Sequence, residues 1–421
     1  MSAQGEVANF RPSRDGWPFP NALSGDYSVI TLPVIGTIAS QNAGTGVCGG
    51  FTFTVRDLFE HRAMLAPDQN AALPAPGTPT FSFITSRFLD SLGPTAYANA
   101  VKAISWTQTS DHDVVLGWGL GHQMVSTEWP AVKATIDSGH LCPLYVIRAP
   151  QVGALDIPGI VDALGHSHQV LAYSYNLDNA GNLSIGIYDP NDPGDDGSSI
   201  TLNVSNPTGG VGLAAPGIIE HISEPQYAVR GFFAAQYAYK DPTSFGADVV
   251  TVNNAAFVSQ DVPADLKAGA AVSVTMRNTG ARSWSPVFGH RLGSQSPQDN
   301  TLWGSNREQL ATDVAPGDEA TFNFTVTTTP ATHATFQWRM VQESVEWFGD
   351  YTVPVAVTTP NGAICTKLNG EITGLQNQVA QLQKELVHAP SNEKSSIIQQ
   401  IAQANIQIGL LKKQKQQNGC P

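Results

Sequence analysis

The apolar residues near the end of the chain follow a helical rhythm. In a first stretch they recur in alternating steps of four and three, at Leu368, Ile372, Leu375, Val379, Leu382 and Leu386. A second stretch has a similar seam at Ile397, Ile401, Ala404, Ile408 and Leu411. Pro390, which lies between the two stretches, cannot continue the first helix. Two heptad seams joined by so short a loop predict an antiparallel coiled-coil hairpin of helices over residues 365–420.

Two cysteines border this hairpin. Cys365 comes just before the first predicted helix and Cys420 just after the second, and those two ends meet in an antiparallel hairpin. We therefore predict a disulfide between them, with two free terminal thiols as the alternative. Closing a loop of about 55 residues adds roughly 4 kcal/mol of stability by the chain-entropy argument. A structural disulfide favours an extracellular or cell-surface location, although the sequence by itself leaves the compartment unknown.

The region before the hairpin, from about residue 250 to residue 358, alternates apolar and polar residues in short runs. Two such runs are 271–276 and 321–326. Turn-forming sequences separate the runs, at Asn278-Thr279-Gly280 and Ala315-Pro316-Gly317-Asp318. Alternation with a period of two, bounded by such turns, predicts an all-β antiparallel sandwich.

Four tryptophans and their neighbours give this region a resemblance to a known family. The residues that carry it are Arg277-Asn278-Thr279-Gly280, Trp284, Trp303, Ala315-Pro316-Gly317, Gln337-Trp338-Arg339-Met340 and Trp347-Phe348-Gly349. They resemble the four-tryptophan Ig-like domain of a selective-autophagy cargo receptor and of many bacterial multidomain proteins. The resemblance implies a non-catalytic Ig-like β-sandwich over residues 250–358 that in some members binds protein partners. The alternative is that the tryptophans serve only as core and rim packing.

Composition narrows the function classes. The chain has 421 residues, of which 41% are hydrophobic and 14% charged, so two or three domains with apolar cores are expected. A net charge of −13 and the lack of a basic run before residue 360 argue against nucleic-acid binding. The sequence has no stretch of 18 apolar residues, so no membrane span is predicted, and residues 1–20 lack the pattern of a secretory signal. No cofactor motif is found, and the spacing of the four cysteines excludes a CxxC zinc site.

The candidate chemistry begins at a cysteine in a glycine-rich loop. The loop and the apolar positions after it are Gly44-Thr45-Gly46-Val47-Cys48-Gly49-Gly50, Phe51, Phe53, Val55, Leu58 and Phe59. This pattern predicts a helix that begins near Cys48. A thiol at a helix N-terminus meets unpaired backbone N–H groups and the positive end of the helix dipole, which both favour the thiolate. The same N–H groups can serve as oxyanion donors, and the glycines are expected to leave room for a substrate carbonyl beside the sulfur.

A base and an orienting carboxylate for such a thiol occur in two predicted strands. His168 opens the first strand, and Asp189 closes the second. A turn at residues 179–182 joins the strands into a hairpin, so pairing across it can place Asp189 beside His168 and fix the imidazole. His166 is interpreted as a loop histidine and Cys142 as a core residue at a strand start. The Asp-rich segment 189–197 is interpreted as a solvated turn, because its prolines do not fit a calcium-binding loop.

The order Cys48, His168, Asp189, with gaps of 120 and 21 residues, resembles that of papain-like cysteine peptidases. The likeness is greatest to double-glycine-leader peptidases and related bacterial proteins, which share a Cys-Gly-Gly helix start, a His-x-Val strand and a Tyr-Asp-Pro strand end. It covers roughly residues 15 to 240 and implies an α+β papain-like domain over residues 1–240, with these three residues as its catalytic triad. In the family a glutamine six residues before the nucleophile completes the oxyanion hole. Here Asn42 has that position and Gln41 lies one residue further away, so either side chain is expected to donate.

These residues predict a thiol-dependent hydrolase or acyl transferase that acts on a peptide, a protein or an amide. Whether the chain is an enzyme stays open, because a catalytically silent papain-like scaffold with a binding or structural role has the same residues. A third hypothesis is a secreted toxin or effector whose catalytic domain is delivered by the other modules. The hairpin, with six lysines against three glutamates, can pack on its own chain, self-associate or bind a partner, and the sequence leaves these open.

Overall fold

The computed structural model describes residues 2–24, 30–32, 36–38, 46–65, 72–93, 95, 97–115, 117–205, 211–214, 229–246, 249–264, 266–330, 334–357, 360–418 and 420. By its internal contacts the chain divides into two compact units, Met1–Val252 and Asn253–Pro421. The first unit mixes helices with antiparallel sheet, and the second contains antiparallel sheets and a pair of long helices. The multidomain α+β organisation is thus confirmed, whereas the three domain boundaries stay a prediction.

The described residues of the first unit form seven α-helices. They are α1 (Pro12–Asp15), α2 (Cys48–His61), α3 (Pro79–Ser91), α4 (Ala98–Gln108), α5 (Leu120–Gln123), α6 (Trp129–Asp137) and α7 (Ile157–His166). A π-helical turn (Met124–Glu128) joins α5 to α6, and a 3₁₀ turn follows at Pro242–Phe245. Its strands are β1 (Ala3–Glu6), β2 (Ile30–Leu32), β3 (Gly36–Ile38), β4 (Ala63–Leu65), β5 (Cys142–Ile147), β6 (His168–Leu177), β7 (Asn182–Tyr188), β8 (Ser199–Asn203), β9 (Val211–Ala214), β10 (Gly231–Ala234) and β11 (Val249–Thr251).

A seven-stranded antiparallel sheet is the centre of this unit. Its order is β10-β5-β6-β7-β8-β9, and β1 pairs with the far half of β6. All six residues of β5 are buried, as expected for a strand covered on both faces. Val146 pairs with His168 and Leu171 pairs with Tyr188, so β5 ends, β6 begins and β7 ends at one edge of the sheet. That edge holds the candidate chemistry.

Helix α2 is fixed against α3 by close contact and by a buried ion pair. Gly49 and Gly50 leave no space for a Cβ, because the Ser91 side chain and the Ile84 carbonyl of α3 occupy it. Further along, the Arg87 guanidinium donates two hydrogen bonds to the Asp57 carboxylate, at 2.6 and 3.1 Å. Both partners are buried, and such a bidentate pair sets the relative position of the two helices.

The strands of the second unit form three small antiparallel sheets. They are β12 (Ala255–Asp261), β13 (Ala271–Asn278), β14 (His290–Ser294), β15 (Arg307–Gln309), β16 (Glu319–Thr325), β17 (Ala334–Phe336), β18 (Trp338–Gln342), β19 (Glu346–Tyr351) and β20 (Val355–Val357). The sheets have the orders β12-β13-β16, β15-β14-β18-β19 and β17-β20. Apolar side chains from all three contribute to one core, as the period-two alternation predicts.

The four tryptophans of this unit divide into two kinds. Trp284, Trp303 and Trp338 are at most 2% exposed and lie in the core, where Trp303 meets Phe336 edge-on at 5.2 Å. Trp347 is only half-buried, and the guanidinium carbon of Arg307 lies 4.8 Å from its ring centre. Three of the aromatic positions therefore act as packing, and Trp347 is available at the surface.

The chain closes with α8 (Pro360–His388) and α9 (Ser391–Gln417), which pack against each other as predicted. Every seam position of the sequence pattern is buried or half-buried, and most other positions are exposed. Cys365 and Cys420 form the predicted disulfide. The sequence predicts Cys365 just before the helix, but the residue lies inside α8, because it continues the seam three residues before Leu368 and is 2% exposed. No helix among the described residues has the length and apolarity that crossing a membrane requires.

Replacing a core tryptophan should cost far more than replacing Trp347. We expect Trp338→Ala to lower the free energy of unfolding of the second unit by about 3–5 kcal/mol, since it empties a buried aromatic site. Trp347→Ala should cost about 1 kcal/mol or less. Hydrogen exchange of β13 peptides against denaturant measures both in the full chain. Equal losses in the two variants would contradict the division into core and surface positions.

The disulfide should stabilise the helical pair specifically. We expect a reductant to lower the free energy of unfolding of α8 and α9 by roughly 4 kcal/mol at most, because the closed loop spans 55 residues. Helical circular dichroism during denaturation measures it. The double variant Cys365→Ser/Cys420→Ser is the matched control, since it should match the reduced protein and no longer respond to reductant. A wild-type transition that ignores the reductant would refute the stabilising role.

Candidate active site

Cys48 is the first residue of α2, as the sequence predicts. Val47 precedes it at the N-cap position and offers no side-chain acceptor to the first turn of the helix. The cysteine is largely buried, with 8% of its surface exposed. A helix N-terminus directs backbone N–H groups and the positive end of the dipole at this position.

His168 and Asp189 form a buried hydrogen-bonded pair beside this helix start. The imidazole Nε2 of His168 lies 2.9 Å from the carboxylate Oδ1 of Asp189. The same oxygen accepts the backbone N–H of Asn191 at 2.7 Å, and this second hydrogen bond helps to fix the carboxylate. Because Nε2 faces Asp189, Nδ1 is the ring nitrogen that remains for exchange with a thiol.

The surroundings of His168 favour its charged form. Burial opposes a charge on the ring, but the Asp189 carboxylate outweighs this effect through its charge and its hydrogen bond. The side chain of Cys48 interacts with the same ring and adds to the effect, so the pKa of His168 is raised to about 9. Burial likewise opposes the charge of Asp189, yet His168 and the Asn191 N–H hold the pKa of that carboxyl below its usual value. At neutral pH the ring is therefore an imidazolium paired with a carboxylate.

Two further side chains near the site were missed in the sequence. Arg148 directly follows β5, and its positive charge interacts with both Asp189 and Cys48 while burial lowers its pKa. Tyr145 lies on the same strand, where burial is the main cause of a raised pKa and the charge of Cys48 adds to it. A charged residue that directly ends a buried strand, next to the strand of a candidate base, was the available signal for Arg148. Tyr145 gave none, since it reads as one more apolar strand position.

The glycines after Cys48 do not have the role expected from the sequence. Gly49 and Gly50 are buried against α3, so they allow two helices to approach and leave no space for a substrate. Gln41 and Asn42, the expected side-chain oxyanion donors, lie outside the described residues. His166 belongs to the last turn of α7 and not to a loop, within 3.5 Å of the Asp162 carboxylate. Cys142 is 2% exposed in β5, as a core residue should be, and burial raises the pKa of its thiol to about 12.

The Asp-rich segment after β7 satisfies its own carboxylates. Asp195 accepts the Gly197 N–H and the Ser198 hydroxyl, and Asp196 accepts the Ser13 N–H and hydroxyl. Across the part of the chain that the structure describes, no cluster of three His, Cys, Asp or Glu side chains is arranged to hold a metal ion.

The three sequence-predicted residues thus converge at one edge of the sheet. A thiol at a helix N-terminus, a charged imidazole and an orienting carboxylate can together hold and move one proton next to a nucleophilic sulfur. Comparisons of the sequence with protein-family models and with curated proteins found no match. A function for the chain is therefore inferred from the chemistry of its own residues.

Removing the carboxylate should weaken the preference of His168 for its charged form. In Asp189→Asn the burial of the ring is opposed only by its interaction with Cys48, so we expect its pKa to fall well below about 9. A pH titration of the imidazole by NMR measures this. Asp162→Asn is the matched control, because that carboxylate faces His166 instead and should leave His168 unchanged.

Asp189→Asn also serves as the reference for a pH effect on stability. A histidine whose pKa is raised on folding stabilises the folded state fully below its unfolded pKa of about 6.5. That contribution is lost as the pH rises through about 9. The free energy of unfolding of the wild type, relative to that of Asp189→Asn, should therefore decrease between these pH values. A difference that stays constant or grows would contradict a charged His168.

Proposed function

We propose that the first unit is a papain-like, thiol-dependent hydrolase or acyl transferase that acts on a peptide or amide. The observation that carries the proposal is the buried His168–Asp189 hydrogen bond of 2.9 Å, with Cys48 interacting with the same ring from a helix N-terminus. A nucleophile, a proton carrier and an orienting group in this arrangement form the constellation that acyl transfer requires.

The proposed reaction begins with the Cys48 thiolate attacking the carbonyl carbon of the scissile bond. A tetrahedral oxyanion forms, and backbone N–H groups at the start of α2 stabilise it. His168, charged beforehand, gives its proton to the leaving amine, and a thioester remains on Cys48. Water, or another nucleophile in a transferase, then attacks the thioester while His168 takes a proton back. Asp189 stays ionised throughout and holds the ring in place.

The resemblance to double-glycine-leader peptidases supports this choice within the wider class of thiol enzymes. The Cys-Gly-Gly helix start, the His-x-Val strand and the Tyr-Asp-Pro strand end fall on α2, β6 and the end of β7. The close fit of Gly49 and Gly50 against α3 gives the first of these motifs a packing reason.

The second unit is proposed to bind protein partners through an Ig-like sandwich and the helical pair. Trp347, half-buried under Arg307, offers an aromatic surface next to a cation. On α9, Ile398, Ile406 and Leu410 are between 54% and 66% exposed, outside the seam that meets α8. Apolar and aromatic groups of this kind are typical of contact surfaces. The disulfide supports an oxidising location for the whole chain.

The alternative is a catalytically silent papain-like scaffold with a binding or structural role. The low exposure of the site favours it: Cys48 is 8% exposed, His168 4% and Asp189 1%. A substrate carbonyl must nevertheless reach the sulfur of this largely buried residue. Retention of all biological activity by Cys48→Ala would support this alternative.

Alkylation by iodoacetamide separates the two functions. An activated Cys48 should react at pH 6 at least about tenfold faster than N-acetylcysteine, whose ordinary thiol is almost fully protonated at that pH. Mass spectrometry of the modified peptides gives the rate for each cysteine. Cys142 is an internal control, since a pKa near 12 and burial should keep it about 100-fold slower.

A second pair of variants tests whether His168 supplies the activation. We expect His168→Gln to reduce the alkylation rate of Cys48 about tenfold or more, and Cys142→Ser to leave it unchanged. If Cys48 reacts no faster than N-acetylcysteine, or no faster than Cys142, the hydrolase proposal fails and the scaffold remains.

A further inference from the structure

Asn21 connects two segments that are far apart in the sequence and that both end at the candidate site. Its side-chain Oδ1 accepts the backbone N–H of Val47 at 2.8 Å, and Val47 is the residue directly before Cys48. Its Nδ2 donates to Oδ1 of Asn191 at 3.2 Å. Its own backbone N–H donates to the Pro190 carbonyl at 2.8 Å.

The second of these segments is the turn that holds the carboxylate. Asn191, which accepts from Asn21, donates its backbone N–H to Asp189 at 2.7 Å, and Asp189 bonds His168 at 2.9 Å. A continuous series of hydrogen bonds therefore runs from the residue before Cys48, through Asn21 and Asn191, to the imidazole. It reaches the ring without passing through the sulfur.

The position of Asn21 is itself fixed by the core. Phe19 and Leu23, two residues to either side, are buried at 6% and 1% exposure. A residue that the core holds on both sides can fix the positions of its hydrogen-bond partners, whereas a residue on a mobile segment would only follow them. On the nucleophile side, Gly46 has a φ of 62° and the Asn21 side chain fills the space where a Cβ would lie, so the loop and Asn21 fit together closely.

We infer that Asn21 is a positioning residue that sets the distance between Val47, directly before Cys48, and the turn that carries Asp189. This distance determines how Cys48 is aligned with His168. The inference rests on the proposed function, because an aligned thiol and imidazole matter only for chemistry at the sulfur. An asparagine suits this place because one end of its amide accepts a hydrogen bond and the other donates. Aspartate keeps the acceptor but sets a negative charge against the Asn191 oxygen.

The competing explanation is that Asn21 only attaches the N-terminal segment to the sheet. Ser13 provides the matched control for that role. It lies on the same segment and bonds Asp196, in the same region after β7, through both its N–H and its hydroxyl at 2.8 and 2.7 Å. Neither of these bonds leads to Val47 or to Asp189.

The experiment compares Asn21→Ala, Asn191→Ala, their double variant and Ser13→Ala in the full chain. Three quantities are measured: the melting temperature, the pH profile of Cys48 alkylation by iodoacetamide, and the titration of the His168 ring by NMR. We expect each asparagine variant to slow alkylation at neutral pH about tenfold and to shift the midpoint of the His168 titration downward. The double variant should be no worse than Asn21→Ala alone, since both substitutions break the Asn21–Asn191 hydrogen bond and only Asn21→Ala also removes the acceptor of the Val47 N–H. Ser13→Ala should lower the melting temperature to a similar extent without moving either profile.

Three results would overturn the inference: unchanged profiles in both asparagine variants, effects that add fully in the double variant, or equal shifts in Ser13→Ala. A failure of the proposed function is visible separately, in the wild type, as a Cys48 that reacts no faster than N-acetylcysteine. The His168 titration still tests the link in that case, because it does not require a reactive thiol.

Discussion

The candidate site depends on the burial of one charged pair. His168 and Asp189 are almost removed from solvent, and taking an ion out of water costs several kcal/mol unless its partner compensates. The 2.9 Å hydrogen bond and the Asn191 N–H provide that compensation only while β6, β7 and the following turn keep their register. A shift of either strand by one residue would turn one of the two side chains to the opposite face of the sheet and leave a buried charge without a partner.

Such a pair is a poor way to gain stability. Apolar residues of similar volume commonly stabilise a core as well or better, whereas an ion pair must first recover its desolvation cost. The rest of the sheet follows that rule, since the six residues of β5 are buried and carry no charge. A charged pair at the edge of so apolar a sheet is typical of a chemical role, and the nearby Cys48 is the reason that thiol chemistry is the role we propose. The second unit, by contrast, is held by buried tryptophans, a helical seam and a disulfide.

Local patterns explain what the sequence predicts well. The heptad seam specified both helices of the C-terminal pair, and period-two alternation specified β13 and β16, because these signals lie within single elements. The strand hairpin around residues 179–182 brought His168 and Asp189 together for the same reason. The roles of Asn21 and Arg148 depend on packing between distant segments: Asn21 and Asn191 are 170 residues apart, and nothing near Asn21 marks it. The glycines after Cys48 are easily recognised in the sequence, but their role depends on tertiary packing. The space beside them, which the sequence predicts for a substrate, is filled by α3.

Charge balance at the site bears on the choice between an enzyme and a scaffold. Asp189 is negative, His168 is positive at neutral pH, and Arg148 brings a second positive charge that interacts with both Asp189 and Cys48. This guanidinium therefore interacts favourably with negative charge on either the carboxylate or the sulfur. Burial opposes the charge of the guanidinium, so holding it beside the pair costs free energy. A scaffold without chemistry gains nothing from a second cation beside the pair. A cysteine nucleophile does gain from it, because a positive charge near the sulfur favours the reactive thiolate form.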